Sequence, residues 1–155
     1  LTRIPAWTGS PNTAVVKSPK WLWTDCGLAA ALAGIRGPAG LAARSDAGFW
    51  LEQTLFQTLQ TWRSLEPARR RIHFWRDRSG REVDFILEQD DTCVGLEIKL
   101  GPAVGTDDQR GLEAWRASLP PSKRRSRGVV LNADACRTLA ENLFALPWGW
   151  LVPAE

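Results

Sequence analysis

Hydrophobic residues follow two different spacings along this chain, and these spacings predict which segments are strands and which are helices. Between Ile72 and Lys99, apolar and polar residues alternate in three short runs that are separated by turn-forming residues. Such alternation is typical of strands, because successive side chains point to opposite faces of a sheet. We therefore expect an antiparallel meander of three strands over 72–76, 81–87 and 93–99.

The segments on both sides of this meander show helical spacing, with apolar residues three or four positions apart. Asp46 is suited to begin a helix that runs to about Ser64, since Asp is a favoured N-cap residue. A second helix is expected to start at Thr106 or Asp107 and to end before Pro120. The other expected elements are an extended segment over 15–24, a short helix over 27–33, a strand over 128–131, a helix over 135–144 and a last strand over 148–152.

The order of these elements indicates the type of sheet. A helix connects the third strand to the fourth, and a connection of that length permits a parallel pair. We therefore expect a mixed sheet that is flanked by helices. Residues 1–13 are rich in Pro and Gly and are interpreted as a linker or an arm over the surface. Residues 14–155 are expected to form a single domain with one core.

Three carboxylates occupy positions where the pattern would otherwise place apolar residues. Glu52 borders Leu55 and Phe56 on the apolar side of the long helix, because helical neighbours lie three and four residues apart. Asp84 and Glu97 lie within the second and third strands of the meander. A carboxylate in such surroundings needs a partner, and these three positions are therefore candidates for function.

Apolar pairing across the turn at 90–91 predicts a register for the second and third strands. Alternation predicts that Val83, Phe85 and Leu87 share one face of the second strand. Their expected opposite partners are Ile98, Leu96 and Val94, respectively. This register also places Asp84 opposite Glu97, on the face that Lys99 shares with Glu97. Like charges opposed in this way, at a separation of about 4.5–5.5 Å, destabilise a sheet. A hard cation such as Mg²⁺, which prefers oxygen ligands, would remove that cost.

Two sets of motifs in this sequence resemble known families. A helical Glu, then Asp84, then Glu97-Ile98-Lys99 on the next strand resembles the PD-(D/E)XK nuclease superfamily. A more specific set resembles the domain of unknown function that is found C-terminal to the ATPase module in many prokaryotic AAA+ ATPases. The blocks of this second set lie at 17–28, 74–76, 79–80, 82–85, 96–99, 111–112 and 146–148.

The resemblance implies an α/β fold with a restriction-endonuclease-like core, in which helices flank a mixed sheet. It implies a Mg²⁺ or Mn²⁺ site with Asp84, Glu97 and the backbone carbonyl of Ile98 as ligands. Lys99 would orient the attacking water or neutralise charge in the transition state, and Glu52 would hold a second cation or its water. The implied activity is Mg-dependent hydrolysis of a phosphodiester in nucleic acid.

Other interpretations of these residues stay open. A non-catalytic module beside the ATPase, binding nucleic acid or a partner protein, fits the same motifs, because fold does not imply function. An internal ion network, in which Lys99 neutralises Asp84 and Glu97, also fits. For Glu52 alone, a salt bridge to an arginine at the helix edge explains the sequence as well as a metal site does.

Basic residues are concentrated in loops, although the net charge of the chain is only +3. Basic loops around a carboxylate cluster are suited to hold the phosphates of DNA or RNA. The alternative is that they are ordinary solvated turns. The candidate nucleic-acid-binding residues are Arg69, Arg70, Arg71, Arg78, Arg81, Lys123, Arg124, Arg125 and Arg127.

Composition narrows the remaining classes of function. The chain has 1 His and 3 Cys, and the cysteines form no C-x-x-C pair, which argues against a zinc site or a disulfide scaffold and favours a cytoplasmic location. The sequence contains no phosphate-binding loop, so ATP hydrolysis would belong to an upstream module. Because the chain has 0 Met, we interpret it as a fragment of a longer protein. The resemblance implies that this protein is a larger ATPase and that the chain is its C-terminal part.

Overall fold

The fold is described from a computed structural model, over residues 1–9, 18–123 and 125–151. Strands and α-helices follow one another along the chain as β1 (Thr2–Ile4), β2 (Lys20–Leu22), α1 (Cys26–Leu32), α2 (Gly37–Ala42), α3 (Ala47–Leu65), β3 (Arg70–Arg76), β4 (Glu82–Gln89), β5 (Thr92–Ile98), α4 (Arg110–Ala117), β6 (Arg127–Asn132), β7 (Arg137–Ala140) and β8 (Leu143–Pro147). Short 3-10 turns cover Asp107–Gln109, Pro121–Lys123 and Trp148–Leu151.

Six of these strands form one mixed sheet in the order β3-β4-β5-β6-β8-β7, and β1 and β2 form a separate antiparallel pair. Strands β3, β4 and β5 are the expected antiparallel meander. Strands β5 and β6 are parallel, as are β6 and β8. The expectation of a mixed sheet flanked by helices is therefore confirmed. None of the described helices has the length and apolar character needed to cross a membrane.

Helices α3 and α4 cover opposite faces of the sheet, and each face has its own apolar core. On the α3 side, Phe56 stacks on Phe85 with ring centroids 5.9 Å apart, and Leu96 is buried beside them. On the α4 side, Trp115 is buried together with Ile86. The sheet is thus covered on both faces, and the ends of its strands are where polar side chains can gather.

The N-terminal residues expected to be a linker or arm are packed against the domain wherever the structure describes them. Strand β1 pairs with β2, with Ile4 opposite Lys20. The Trp7 N–H donates to the Phe74 carbonyl at 2.7 Å. Both Ile4 and Trp7 are buried, in the α3-side and the α4-side core respectively. This packing fixes β2, and therefore Lys20, over the α3 face of the sheet.

The elements after β6 differ from the expectation. Strands β7 and β8 occupy most of the segment expected to be a helix over 135–144, and the expected strand over 148–152 is a 3-10 turn up to Leu151. Asn142 has a φ of 55°, a conformation that suits a tight turn between strands. Leu143 and Ala145 are buried where β8 joins the sheet beside β6. Their alternate burial shows that sheet pairing overrides the helix-like spacing.

Candidate functional site

Strands β4 and β5 have the expected register along most of their length. The predicted pairs that the ladder contains are Phe85–Leu96 and Leu87–Val94. Beyond them, the Ile98 N–H donates to the Asp84 carboxylate at 2.8 Å. A side chain of β4 therefore takes the place of a main-chain acceptor. This contact holds the Asp84 carboxylate directly beside the end of β5.

A β-bulge in β4 changes the face on which its side chains lie. The pairing with β3 shifts between His73 and Trp75, so that Asp84 and Phe85 together stand opposite one residue of β3. As a result, Val83 packs in the α4-side core, whereas Phe85 packs in the α3-side core. The expectation that Val83 and Phe85 share a face is wrong, because strict alternation does not allow for the extra residue.

Lys20 connects the carboxylate of α3 to those of β4. Its Nζ forms an ion pair with Glu52 Oε1, and it lies 3.8 Å from Asp84 Oδ1 and 3.6 Å from Glu82 Oε1. It also lies 5.5 Å from the centre of the Phe85 ring. Burial alone would lower the pKa of Lys20, but the charges of Glu52 and Asp84 outweigh it and raise that pKa. Lys20 therefore carries its charge at neutral pH.

The sequence analysis did not select Lys20, and it expected Glu52 to face either a cation or an arginine. The partner of Glu52 is this lysine, which precedes it by 32 positions in the sequence. The sequence did contain a signal for this residue, because Lys20 directly follows Pro19. It begins a short strand that is packed over a core face. Only the packing of β2 on the sheet shows which carboxylates that lysine meets.

Glu97 has one paired and one unpaired carboxylate oxygen. Its Oε1 lies 3.0 Å from Lys99 Nζ, whereas its Oε2 is buried and has no hydrogen-bond partner among the described residues. Burial, followed by the charge of Asp84, raises the pKa of Glu97 to about 7. Burial also raises the pKa of Asp84, although Lys20 opposes that effect. The charge of Asp84 is thus close enough to disfavour the ionisation of Glu97.

Lys99 is held between two carboxylates. Besides Glu97, it pairs with Asp108 Oδ1 at 3.3 Å, and Asp108 Oδ2 accepts the Gly105 N–H at 2.8 Å. Burial acts to lower the pKa of Lys99, but the contacts with Glu97 and Asp108 raise it overall. Lys99 is therefore cationic at neutral pH. Asp108 is a partner of Lys99 that the sequence analysis missed.

The acidic residues differ in how well they are suited to hold a metal ion. Across residues 1–9, 18–123 and 125–151, no three His, Cys, Asp or Glu side chains form a ready-made metal cluster. The buried Oε2 of Glu97, with which no described residue pairs, lies next to the charge of Asp84 and nevertheless fits a hard divalent cation. Asp84 and Glu97 would hold such a cation together with the Ile98 carbonyl, and water would complete its coordination.

The sheet separates the candidate nucleic-acid-binding residues into two groups. Arg78 follows β3 in the hairpin at the Asp84 end of β4. At the other end of β4, Arg69 pairs with Asp90, and Lys123 Nζ donates to the Asp90 carbonyl at 2.7 Å. Along β4, Asp84 and Gln89 are roughly 17 Å apart, at about 3.3 Å per residue. The expectation that all the basic loops surround the carboxylates is therefore wrong for the second group.

Several of these basic residues are bound within the protein. Arg81 pairs with Asp77 at 2.6 Å. Arg70 pairs with Glu66 at 2.5 Å and lies over the Trp62 ring. An arginine held in this way is less available to a phosphate. The exposed members for which we find no ion pair to a described residue are Arg71, Arg78, Arg125 and Arg127, and Arg124 lies outside the described residues.

The raised pKa of Glu97 predicts how the stability of the metal-free protein depends on pH. The pKa is about 7 in the folded state against an ordinary value of 4.5, so the folded state binds more protons between these values. The free energy of unfolding should therefore fall as pH rises from 4.5 to 7, by up to about 3 kcal/mol from this residue. Urea unfolding at several pH values measures the effect.

Glu97→Gln should flatten this pH dependence, because the variant has no proton to lose at that position. Glu113→Gln is the matched control, since it makes the same chemical change at an exposed position on α4. An identical profile for wild type and Glu97→Gln would show that Glu97 ionises normally.

The comparisons with known proteins identify a family but not an activity. No curated protein matched the sequence. A family model described as a domain of unknown function, DUF4143, matches residues 47–151. The matched segment runs from α3 to the end of the described chain and contains Glu52, Asp84, Glu97 and Lys99, whereas Lys20 lies before it. The match spans well over half of the sequence, and the chain therefore belongs to the DUF4143 family.

Proposed function

We propose that this chain is a nuclease-like domain with a PD-(D/E)XK core, and that it hydrolyses phosphodiesters in DNA or RNA with Mg²⁺ or Mn²⁺. The observation that carries the proposal is the buried Oε2 of Glu97, which has no hydrogen-bond partner in the part of the chain that the structure describes and lies within reach of the Asp84 charge. Leaving two neighbouring acids buried without a full set of partners is costly. A bound cation would remove that cost, and this favours a site over a purely structural cluster.

The sequence motifs support the same proposal for the whole protein. A domain with these motifs would lie behind the ATPase module of a prokaryotic AAA+ protein, in the cytoplasm. In this arrangement the ATPase would be the physical partner of the domain, and nucleic acid its substrate.

The residues of the site would divide the work of hydrolysis. A divalent cation, when bound, supplies Lewis-acid stabilisation of the phosphate oxygens and lowers the pKa of water. Asp84, Glu97 and the Ile98 carbonyl would hold it. Lys99 is protonated, so it would stabilise charge that develops in the transition state and orient water rather than accept a proton. Asp108 keeps the Lys99 ammonium group in place through its ion pair.

Metal binding is the first test of this proposal. Added Mn²⁺ or Mg²⁺ should raise the melting temperature of the protein, because a ligand that binds only the folded state stabilises it. Asp84→Asn and Glu97→Gln should each abolish the increase, whereas Glu113→Gln should not. Differential scanning fluorimetry across a cation titration measures this, and calorimetry checks the affinity. A melting temperature that no cation changes would favour the ion-network interpretation.

Nucleic-acid binding is the second test. The domain should bind DNA and RNA with little sequence preference and with an affinity that falls as salt increases, because phosphate contacts release counterions. Arg78→Ala and Arg71→Ala should each reduce the slope of log affinity against log salt by about 1. Fluorescence anisotropy at several salt concentrations gives the slopes.

The two variants also show which end of the sheet contacts nucleic acid. If only Arg78→Ala changes the slope, nucleic acid contacts the Asp84 end alone. Binding that does not respond to salt would exclude phosphate recognition by these arginines.

A second candidate function is a non-catalytic module that binds nucleic acid or a partner protein. The observation that favours it is Lys20, which already neutralises Glu52 and lies near Glu82 and Asp84. The absence of a ready-made group of three metal ligands within the described residues points the same way. Cleavage assays on single- and double-stranded DNA and RNA separate the two functions. Metal binding without cleavage in both the isolated domain and its full-length parent would establish the binding module.

A further inference from the structure

We propose that Lys20 is a positioning residue that takes the place of a second divalent cation in the carboxylate site. The proposal rests on the proposed function, because it assumes that one divalent cation binds at Asp84 and Glu97. It assigns to Glu52 a different role from the one expected from sequence. Glu52 anchors Lys20 and is not itself a metal ligand.

The position of the Lys20 ammonium group is the first reason. Its Nζ contacts Glu52 Oε1 and lies 3.6 Å from Glu82 Oε1 and 3.8 Å from Asp84 Oδ1. These oxygens come from α3 and from β4, which are the two elements that a second cation would have to bridge. An ammonium group is a compact point charge with three donors. It therefore satisfies the same carboxylates that a cation at this position would bind.

The enclosure of the Lys20 side chain is the second reason. Its side chain is 21% exposed, and the ammonium group lies over the Phe85 ring. Strand β2, which carries it, is held by β1, whose Ile4 is buried opposite Lys20. The Phe85 ring and the β1–β2 pair restrict the Lys20 side chain. Lys20 therefore does not move aside readily for a metal ion.

The balance of charge is the third reason. Five carboxylates lie in this region, and three cationic groups pair with them. The carboxylates belong to Glu52, Glu82, Asp84, Glu97 and Asp108, and the cationic groups belong to Lys20, Arg76 and Lys99. When all five carboxylates are ionised, which a bound cation favours, five negative charges against three positive charges leave two negative charges unbalanced. One divalent cation neutralises these two, whereas a second would leave an excess of positive charge. The site is therefore matched to a single cation as long as Lys20 is present.

The test is the number of Mn²⁺ ions that the protein binds. Wild type should bind one Mn²⁺ per chain at saturation, and Lys20→Met should bind two. Metal ions in a two-metal site lie about 3.5–4 Å apart, so the variant should also show the spectrum of a spin-coupled Mn²⁺ pair by electron paramagnetic resonance. Lys20→Arg, which keeps the positive charge, should bind one Mn²⁺ per chain, like wild type. Lys20→Met combined with Glu52→Gln should also bind one, because it lacks the carboxylate that anchors the second ion.

Arg3→Met is the matched control. Arg3 is exposed and pairs with Trp21, on the other face of the strand pair that carries Lys20, because successive side chains alternate. This variant removes one positive charge from the same element and should bind one Mn²⁺, like wild type. A general increase in cation attraction would instead raise the stoichiometry of both Met variants.

Each outcome tests either the role of Lys20 or the proposed metal site. Two Mn²⁺ per chain in wild type overturns the role of Lys20 without any variant, so the test does not depend on whether Lys20→Met folds. One Mn²⁺ in both wild type and a folded Lys20→Met also overturns it, while leaving the proposed metal site intact. No Mn²⁺ binding to wild type or to Lys20→Met is the failure of the proposed function itself. One ion in wild type and a coupled pair in Lys20→Met supports the proposal.

Discussion

Replacing Lys99 by Ala should abolish the proposed phosphodiester cleavage and leave the proposed Mn²⁺ binding largely intact. Lys99 is paired with Glu97 and Asp108 and is protonated at neutral pH, so its chemical contribution is a positive charge. That charge matters most when negative charge develops on the phosphate, and an interaction made only in the transition state acts on kcat. Loss of one such preorganised group typically reduces kcat by about 10²–10³-fold.

The experiment compares single-turnover cleavage rates with Mn²⁺ affinity in the same preparations. Lys99→Arg, which keeps a positive charge, should retain more activity than Lys99→Ala. Arg36→Ala serves as the control for loss of a cation, because Arg36 is exposed between α1 and α2. A Lys99→Ala protein that cleaves as fast as wild type would remove Lys99 from the mechanism. If Mn²⁺ binding disappears as well, Lys99 organises the ligands instead of acting on the substrate.

Replacing Gly111 by Ala should strongly destabilise the protein. Gly111 lies in α4 where the helix touches β4, and a Cβ at this position would lie 1.9 Å from the carbonyl oxygen of Glu82 and 2.9 Å from its carbon. Both atoms belong to the backbone, so no side chain can move aside. Overpacking of this kind costs about 1–3 kcal/mol, and occasionally more. The helix would be pushed away from the strand that carries Asp84.

Urea unfolding measures this effect, with Gly48→Ala as the matched control. Gly48 also lies in a helix, α3, but a Cβ there would have no neighbour within 4 Å. Gly48 is the second residue of α3, so Ala in that open position should stabilise the helix by at most about 0.5–1 kcal/mol. The two substitutions are chemically identical and should have opposite signs. A Gly111→Ala protein as stable as wild type would show that α4 does not pack this closely on β4.

Local sequence patterns determined the elements around the candidate site. The helix predicted from Asp46 to about Ser64 is α3, and it begins and ends within a residue or two of the predicted limits. Alternation and turn residues were sufficient for the meander and for most of the β4–β5 register. These features depend on contacts between residues that are close in sequence or directly paired. For the same reason the positions of Asp84, Glu97 and Lys99 on neighbouring segments were predictable.

A local pattern was not sufficient after β6. The spacing of apolar residues over 135–144 suits a helix, but the segment forms β7 and the start of β8. Strand β8 is stabilised by pairing with β6 and by burial of Leu143 and Ala145. Tertiary pairing of this kind changes the preference of a short segment, and propensity alone does not reveal it.

The tertiary structure alone decided how the charged residues of the site are paired. The bulge at Asp84 depends on how β3 and β4 pack their apolar residues on two faces at once. Lys20 meets Glu52 because β1 holds β2 against the sheet, and Lys99 meets Asp108 because α4 returns along the other face. The sequence by itself determined which acids and lysines are present and on which elements they lie. Their partners were decided by packing, because an ion pair depends on distances of a few ångströms between segments that are far apart in the chain.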